Sequence, residues 1–345
     1  NLSCSKNPLD KLDVSTLTEL TSLTCMADGL SELNLYENNK LQRLNCANNQ
    51  LTSLVVLSDS LTKVDCYVNK LETLDLTSVP NLKSLRCDQN SLKSLDLSNN
   101  QSLTSINCTY NNLTSLDLSK NTSLANVTNA MIGNQSVSLK ANFDGNMIVI
   151  PFENSNLDND NYVSSTLDDY GDGSGFNFAS FIAYDVSEID GGIEYYCNTK
   201  LAGSENMKVS VTVSRDFHQV SFYADSENTS LIGRAFANDG QSVTAPEIKN
   251  PPQCKVLDTW SDTLDNVTGD KSIYANWKDA HSYSLSSFSN DTATVKCSVC
   301  GDTFTLSFIN AVNSKKGDEK YSPYLDVTKD GVINAKDYAL LNKMK

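Results

Sequence analysis

Six cysteines, Cys4, Cys25, Cys46, Cys66, Cys87 and Cys108, recur every 21 residues, with one interval of 20. A repeat of this length allows few folds: each unit is too small to bury its own apolar face, so the units must stack into a continuous solenoid. Around each cysteine the other positions keep phase. Leu2, Leu23, Leu44, Val64, Leu85 and Ile106 lie two residues before it. Asn7, Asp28, Asn49, Asn69, Asn90 and Asn111 lie three after it, and Leu9, Leu30, Leu51, Leu71, Leu92 and Leu113 five after it. A second apolar pair follows, from Leu12/Val14 through Leu33/Leu35, Leu54/Val56, Leu74/Leu76 and Leu95/Leu97 to Leu116/Leu118. Alternation with a period of two predicts a short strand whose leucine and cysteine point inward, while the asparagine amide can satisfy backbone groups where the chain turns. Stacked strands roughly 4.8 Å apart should place the cysteines in one buried column. Parallel Cβ vectors at that spacing suit a disulfide poorly, so the six are read as buried reduced thiols.

The period L-x-x-L-x-C-x-x-N-x-L-x-x-L-x-L matches the leucine-rich repeat signature, and residues 1 to about 132 resemble the internalins whose repeats carry such a cysteine ladder. The resemblance implies a leucine-rich repeat solenoid on a secreted or surface-displayed bacterial protein. Two departures stand out: Asp28 replaces asparagine, and the residue missing between Cys46 and Cys66 is expected to kink the stack locally.

At 345 residues the chain is long enough for two or three domains at about 150 residues each. A net charge of −15 with only two histidines leaves no basic surface for phosphates and excludes nucleic acid as a partner. Partners should be neutral, cationic or bridged by calcium, and no apolar run is long enough for membrane insertion. The first residues lie inside a repeat with no leader pattern, as expected of a mature or trimmed chain. A monomer is expected.

Beyond Leu118 the pattern decays through Leu124, Val127 and Ile132, as a terminal rung should. Strand-like alternation follows over Val137 to Phe143, Met147 to Phe152, Phe176 to Tyr184, Ile193 to Asn198 and Met207 to Val213, with a loose stretch from Asp168 to Gly175. This reads as a β-sandwich; internalins place an immunoglobulin-like module at this position. Residues 218 to 279, with "DGQSVTAP" and "DNVTGDKSIYANW", resemble the B repeat, or Listeria–Bacteroides repeat, a small β-grasp-like fold. Trp260 and Trp277 fall at that family's core positions, where burial is the expected role. Thr259 and Cys254 depart from its usual glycine and aromatic.

The most specific chemistry is Asp326 to Asp337, DVTKDGVINAKD. A calcium loop of the EF-hand type takes oxygens from positions 1, 3, 5, 7, 9 and 12, with glycine at 6. Asp326, Thr328, Asp330, the Val332 carbonyl, Asn334 and Asp337 fill those positions, with Gly331 and Ile333 in place. Thr328 offers a single hydroxyl and Asp337 is shorter than glutamate, so affinity should be modest. With the following "NAKDYALLNKMK", read as an amphipathic helix with Tyr338, Leu340, Leu341 and Met344 on its apolar face, the block resembles a dockerin repeat, which implies a cohesin partner. Dockerins carry two such loops; here Phe304 to Ser314 supplies only a second helix, with no ligand pattern.

Other candidates are weaker. Cys297-x-x-Cys300-Gly301 resembles half of a zinc knuckle that His281 with Cys254 or Cys197 could complete, but a local disulfide or two free thiols is the preferred reading. No βαβ context supports redox work, and neither His218 nor His281 sits where a nucleophile would need a base. Asp75, Asp96 and Asp117 stack on one face and are read as solvated. The residues beside the cysteines form one continuous outward face: Arg43, Asn45, Asp65, Tyr67, Arg86, Asp88, Asn107, Thr109 and Tyr110, with Ser22, Thr24 and Met26 towards the N-terminus. Of these, Arg43, Asp65, Tyr67, Arg86, Asp88 and Tyr110 are the candidate ligand contacts, since tyrosine and arginine are enriched at binding hot spots.

The chain is therefore expected to be mainly β and multidomain: a leucine-rich repeat solenoid (1–133), an Ig-like β-sandwich (134–215), a small β-grasp-like module (216–279), a CxxC hairpin or linker (280–305) and a short α-helical EF-hand or dockerin-like tail (306–345). Its expected function is extracellular, non-catalytic recognition of a protein or glycan. The competing readings are a polysaccharide-active enzyme with a cryptic carboxylate pair in 135–215 and a purely architectural protein.

Overall fold

Inward leucines and cysteines at a fixed phase give each rung one short strand. The computed structural model describes residues 1–124, 130–152, 162–170, 174–177, 180–203 and 205–344; Val127 and part of the Asp168 to Gly175 stretch lie outside them. The molecule is mainly β with few helices and divides into two units, Asn1–Phe217 and His218–Lys345.

In the first unit, β1 (Leu2–Ser3), β2 (Ser22–Thr24), β3 (Arg43–Asn45), β4 (Lys63–Asp65), β5 (Ser84–Arg86), β6 (Ser105–Asn107) and β7 (Ala130–Met131) form one parallel sheet in sequence order. Register pairs Leu2, Leu23, Leu44, Val64, Leu85, Ile106 and Ala130 across it. Cys25, Cys46, Cys66, Cys87 and Cys108 are fully buried and free, and only Cys4, on the terminal rung, is partly open. Burial pushes the thiols up, to about 12 for Cys25, Cys66 and Cys108.

The asparagines pin each turn to the next. The Asn111 amide donates to the carbonyls of Cys87 and Cys108, both at 3.0 Å, and its oxygen accepts from Leu92 N–H at 3.0 Å. Asn49, Asn69 and Asn90 repeat the arrangement. Just before each asparagine the chain turns through a left-handed residue: Lys6, Ala27, Asn48, Val68, Gln89, Tyr110 and Asn134 all have φ between 53° and 64°. The ladder does not stop at Asn111. Ile132 takes the cysteine position, and Gln135 donates to the carbonyls of Cys108 and Ile132, both at 2.9 Å.

The missing residue before Cys66 leaves the strand ladder uninterrupted. Register passes unbroken from β3 to β4, because the deficit falls on the return side of the coil. There the Ser58 hydroxyl bonds the carbonyls of Asn39 and Leu41, at the phase where Asn38 and Asn100 bridge neighbouring rungs.

Gln135 also begins β8 (Gln135–Lys140). With β9 (Asn142–Asp144), β10 (Met147–Pro151), β11 (Tyr162–Ser165), β12 (Gly175–Asn177), β13 (Ser180–Ala183), β14 (Ile193–Cys197) and β15 (Met207–Ser214) it makes two four-stranded sheets, β12-β13-β10-β9 and β11-β14-β15-β8. Aromatics fill the space between them: Phe152, Phe181 and Tyr195 meet with centroids 5.1 to 5.5 Å apart. Met147 to Phe152, Ile193 to Asn198 and Met207 to Val213 appear as expected, whereas Val137 to Phe143 divides into β8 and β9 of different sheets, Phe176 to Tyr184 divides into the antiparallel pair β12 and β13, and β11 is added. This module covers the end of the solenoid, with Tyr195 donating to the Thr114 carbonyl at 2.6 Å and Leu118 N–H to the Thr199 carbonyl at 2.8 Å.

In the second unit, β16 (Phe217–Tyr223), β17 (Leu231–Asn238), β18 (Lys255–Trp260) and β19 (Lys271–Asp279) form a sheet of order β17-β16-β19-β18, in which β16 and β19 run parallel. Val220, Phe222, Val267 and Ile273 are its core. Trp260 lies edge-on to Phe222 at 5.0 Å, and Trp277 Nε1–H donates to the Ala224 carbonyl at 2.7 Å; both rings are partly buried. β20 (Tyr283–Ser289), β21 (Thr292–Cys297) and β22 (Thr303–Ser307) make a three-stranded antiparallel sheet.

Two helical expectations are corrected here. Phe304 to Ser307 belongs to β22, because Thr303, Phe304, Thr305 and Leu306 alternate with a period of two, and only α1 (Phe308–Ala311) is helical. In α2 (Ala335–Leu341), Leu341 is buried, whereas Tyr338, Leu340 and the following Met344 are exposed. Phe288 and Ala293 of the sheet share one core with Phe308, Ala311, Leu325, Ile333 and Leu341.

Candidate recognition face and metal-ligand clusters

The outward side chains of the solenoid sheet do not stand apart from one another. The Arg86 guanidinium lies over the Tyr67 ring, 4.1 Å from its centroid, and its Nε is 3.5 Å from Asp88 Oδ1. Lys63, on the rung of Tyr67, pairs with Asp65 at 3.0 Å. Asp65 and Asp88 are only 7% and 4% exposed, so these ion pairs are largely shielded from solvent on the carboxylate side. Two cation-paired carboxylates on adjacent rungs beside the stacked tyrosine–arginine pair give this patch polar groups of both signs. Tyr110 is 59% exposed and sits on the left-handed turn residue of its rung, while Arg43 projects from β3. The structure thus joins Tyr67, Arg86 and Asp88 in one contact chain, places Asp65 on the rung of Tyr67, in register with Arg86, and leaves Arg43 and Tyr110 towards either end. Lys63 is a member that sequence reasoning passed over; its pairing with Asp65 two residues on was the available signal.

The column of Asp75, Asp96 and Asp117 is structural. Asp75 accepts from Thr77, Asp96 from Ser98 and Asp117 from Ser119, closing the return turns. The Thr77 side chain and N–H hold Asp75 below the usual carboxylate range, and the Ser98 N–H does the same for Asp96. Burial pulls Asp117 upward, but bonds from Ser119 and Lys200 outweigh it.

At the C-terminal loop, oxygens of Asp326, Asp330 and Asp337 lie within 4.8 Å of one another. Asp326 accepts from the N–H groups of Asp330 (3.2 Å) and Gly331 (2.9 Å) and from the Tyr321 hydroxyl (2.6 Å). Asp337 accepts from Thr328 N–H and Oγ1 at 2.9 and 2.8 Å, and completes a capping box with Asn334 at the start of α2. Gly331 takes φ of 83°, the sharp turn that position six requires, and Ile333 is buried. Asn334 directs its amide to the Val332 carbonyl at 3.0 Å. Ile333 exchanges backbone bonds with Asn313 and Ser314, so residues 313–316 lie against the loop as a second, ligand-poor half.

A second cluster gathers side chains far apart in the chain. Cys254, His281, Cys297 and Cys300 bring their Sγ and Nδ1 atoms within 4.8 Å of one another. Cys197, the alternative fourth member, is buried in β14 of the first unit near the Thr114 carbonyl. Burial raises the Cys297 thiol, but the N–H groups of Cys300 and Val299 and the side chains of His281 and Cys254 outweigh it and bring it down to about 5. Hydrogen bonds to Cys300 and Cys297 push Cys254 up to about 12.

His218, at the start of β16, contacts Asp239 at 3.1 Å. No helix among the described residues is long and apolar enough to cross a membrane.

No family model and no curated protein matches the chain. Among solved structures it is similar to the functional domain of InlJ from Listeria monocytogenes, which includes a cysteine ladder, at 20% identity over 62% of this chain and 66% of that one, with a TM-score of 0.30. It is also similar to InlP from the same organism, at 18% identity over 57% of this chain and 67% of that one, with a TM-score of 0.31. The chain therefore spans just under two thirds of the InlJ domain. These structural neighbours are Listeria internalins, which are leucine-rich repeat proteins.

Proposed function

We propose that the chain is an extracellular recognition protein that binds a protein or glycan through the outward face of its solenoid, around Tyr67, Arg86, Asp65, Asp88 and Tyr110. The observation that carries this reading is the outward Tyr67–Arg86 stacked pair, residue types enriched at binding hot spots, flanked by the Lys63–Asp65 and Arg86–Asp88 ion pairs. The net charge of −15 favours a partner that presents basic side chains. Tyr110 adds support as a strongly exposed aromatic towards one end of the same face. The favoured partner is a protein surface presenting basic side chains. The test is a protein and glycan array probed with the full chain: salt-sensitive capture of basic proteins supports the reading, and capture confined to polyanions overturns it.

The tail is the proposed calcium-dependent anchor. Asp326 and Asp337 are 3% and 0% exposed, and among the described residues no lysine or arginine pairs with them or with Asp330. Converging carboxylates without a cation repel each other, and a bound calcium ion would neutralise them. Asp326, Thr328, Asp330, the Val332 carbonyl, Asn334 and Asp337 would hold the ion, with the Asn334 amide turned to present its oxygen. Calorimetry with calcium should show binding that Asp330→Asn weakens at least tenfold; no heat and no stabilisation at millimolar calcium would overturn the assignment. The exposed Ile309, Leu340 and Met344 around α1 and α2 give a dockerin-like tail a surface to offer a cohesin. An Ig-like sandwich and a β-grasp-like module fit the two middle sheet arrangements as spacers; β8 and β15, the first and last strands of the sandwich, run parallel side by side.

The enzymatic reading has a direct test. A screen of polysaccharide hydrolysis should find no turnover, and turnover lost on substituting acids of 135–215 would replace the recognition reading.

A further inference from the structure

We propose that Cys254, His281, Cys297 and Cys300 form a closed structural zinc site that fastens the β16–β19 sheet to the β20–β22 sheet. The four residues come from three separate places: the turn before β18, the connection between β19 and β20, and the β21–β22 turn. Chance seldom brings three thiols and an imidazole from such distances to one point.

The distances suit a tetrahedral ion. Zinc bonds of about 2.3 Å to sulfur and about 2.0 Å to nitrogen place ligand atoms roughly 3.8 Å apart for sulfur pairs and roughly 3.6 Å for sulfur and nitrogen. Here Cys254 Sγ and Cys297 Sγ are 3.5 Å apart, Cys300 Sγ and His281 Nδ1 are 3.2 Å apart, and all four atoms fall within 4.8 Å. A sulfur–sulfur distance of 3.5 Å is too long for a disulfide bond, which is about 2.05 Å.

The backbone is shaped for the same purpose. After Cys300 the chain turns at Gly301 with φ of 79°, and Gly301 N–H returns to the Cys297 carbonyl at 3.0 Å. Cys254 itself takes φ of 58°, a conformation that aims its thiol inward at a local cost. Ties outside the cluster hold the three segments together. Ala280 N–H donates to the Cys254 carbonyl at 2.8 Å, and Gln253 Nε2–H to the Val299 carbonyl at 2.7 Å. His281 stacks on Tyr283 at 4.9 Å, and the Tyr283 hydroxyl donates to Asp302 at 2.6 Å, fixing the imidazole plane. Four protein ligands leave no open position, so the role is structural: the cysteines bind as thiolates, and the metal adds its binding energy to the folding of this unit.

The test uses the full chain purified without chelator. Zinc should be present at about one equivalent per chain, and exchange with cobalt(II) should give the thiolate charge-transfer and tetrahedral bands of a Cys3His site. Cys254→Ser should lower zinc affinity at least tenfold, while Asp330→Asn, in the acidic loop, should leave zinc content unchanged. If Cys254→Ser does not fold, the cobalt spectrum of the unaltered chain decides. A chain that holds no zinc and gives no charge-transfer band, or peptide mapping that links Cys254 to Cys297 or Cys300 by a disulfide, would overturn the proposal.

Discussion

The ten cysteines form contrasting populations. In the solenoid the thiols are spread along a column, one per rung, each between leucines, and burial, reinforced by neighbouring carboxylates and thiols, drives them upward, to about 12 at Cys66. In the second unit, three thiols and a histidine converge on one point, and Cys297 is drawn down by the N–H groups around it. The same side chain is a small hydrophobe in one place and a poised ligand in the other. What separates them is whether neighbours supply apolar contact or donors and partner ligands.

If the column is held by its asparagines rather than by its sulfurs, removing one amide should be the most damaging change. Asn111→Ala leaves two buried carbonyls and one N–H unmatched, with an expected loss of about 3 kcal/mol or more in urea unfolding of the first unit. Metal content should not change. The second test is alkaline. The ladder thiols have folded-state values raised above those of the unfolded chain, so their contribution is complete below about pH 9 and is lost as pH rises towards about 12. Melting temperature should therefore fall steeply in that window, and less steeply in Cys66→Ala.

Smaller effects sharpen the picture. Buried Asp28 accepts from Asn7 N–H at 2.9 Å, but a carboxylate cannot donate to the rung carbonyls as asparagine does. Asp28→Asn should stabilise the first unit by about 1 kcal/mol, read as a shifted urea midpoint. The smallest effect is on the acid side. Asp75 and Asp96 have lowered values, so what they contribute is present above about pH 4 and is lost as pH falls through their folded-state values. Both are largely exposed, and Asp75→Asn should remove only a few tenths of a kcal/mol of that acid sensitivity.

Legibility in the sequence followed the same divide. The ladder could be read because its phase repeats: each cysteine, leucine and asparagine predicts the next, and six rungs agree. The seventh was hidden because Ile132 and Gln135 replace cysteine and asparagine, although they keep the three-residue spacing. The return-side bridges of Asn38, Ser58 and Asn100 also repeat, but vary in residue type. The metal-ligand cluster gave only half of its signature, Cys297-x-x-Cys300. Cys254 and His281 reach it through the pairing of β18 with β19 and the turn into β20, contacts that no local spacing encodes. The loop from Asp326 to Asp337 was legible because all its candidate ligands lie within twelve residues. The helix expected over Phe304 to Ser314 was misread where strand alternation runs into a four-residue helix.

On the recognition face, the sequence named the residues but not their coupling. Tyr67 and Arg86 lie on successive rungs, and only stacking of the coils brings the guanidinium over the ring. Capture by the full chain of the proteins it binds on an array, compared with Y67A/R86A/Y110A at matched melting temperature, tests the account most directly. Loss of at least tenfold in affinity for those proteins is the predicted result. Undiminished binding by the triple variant would contradict it.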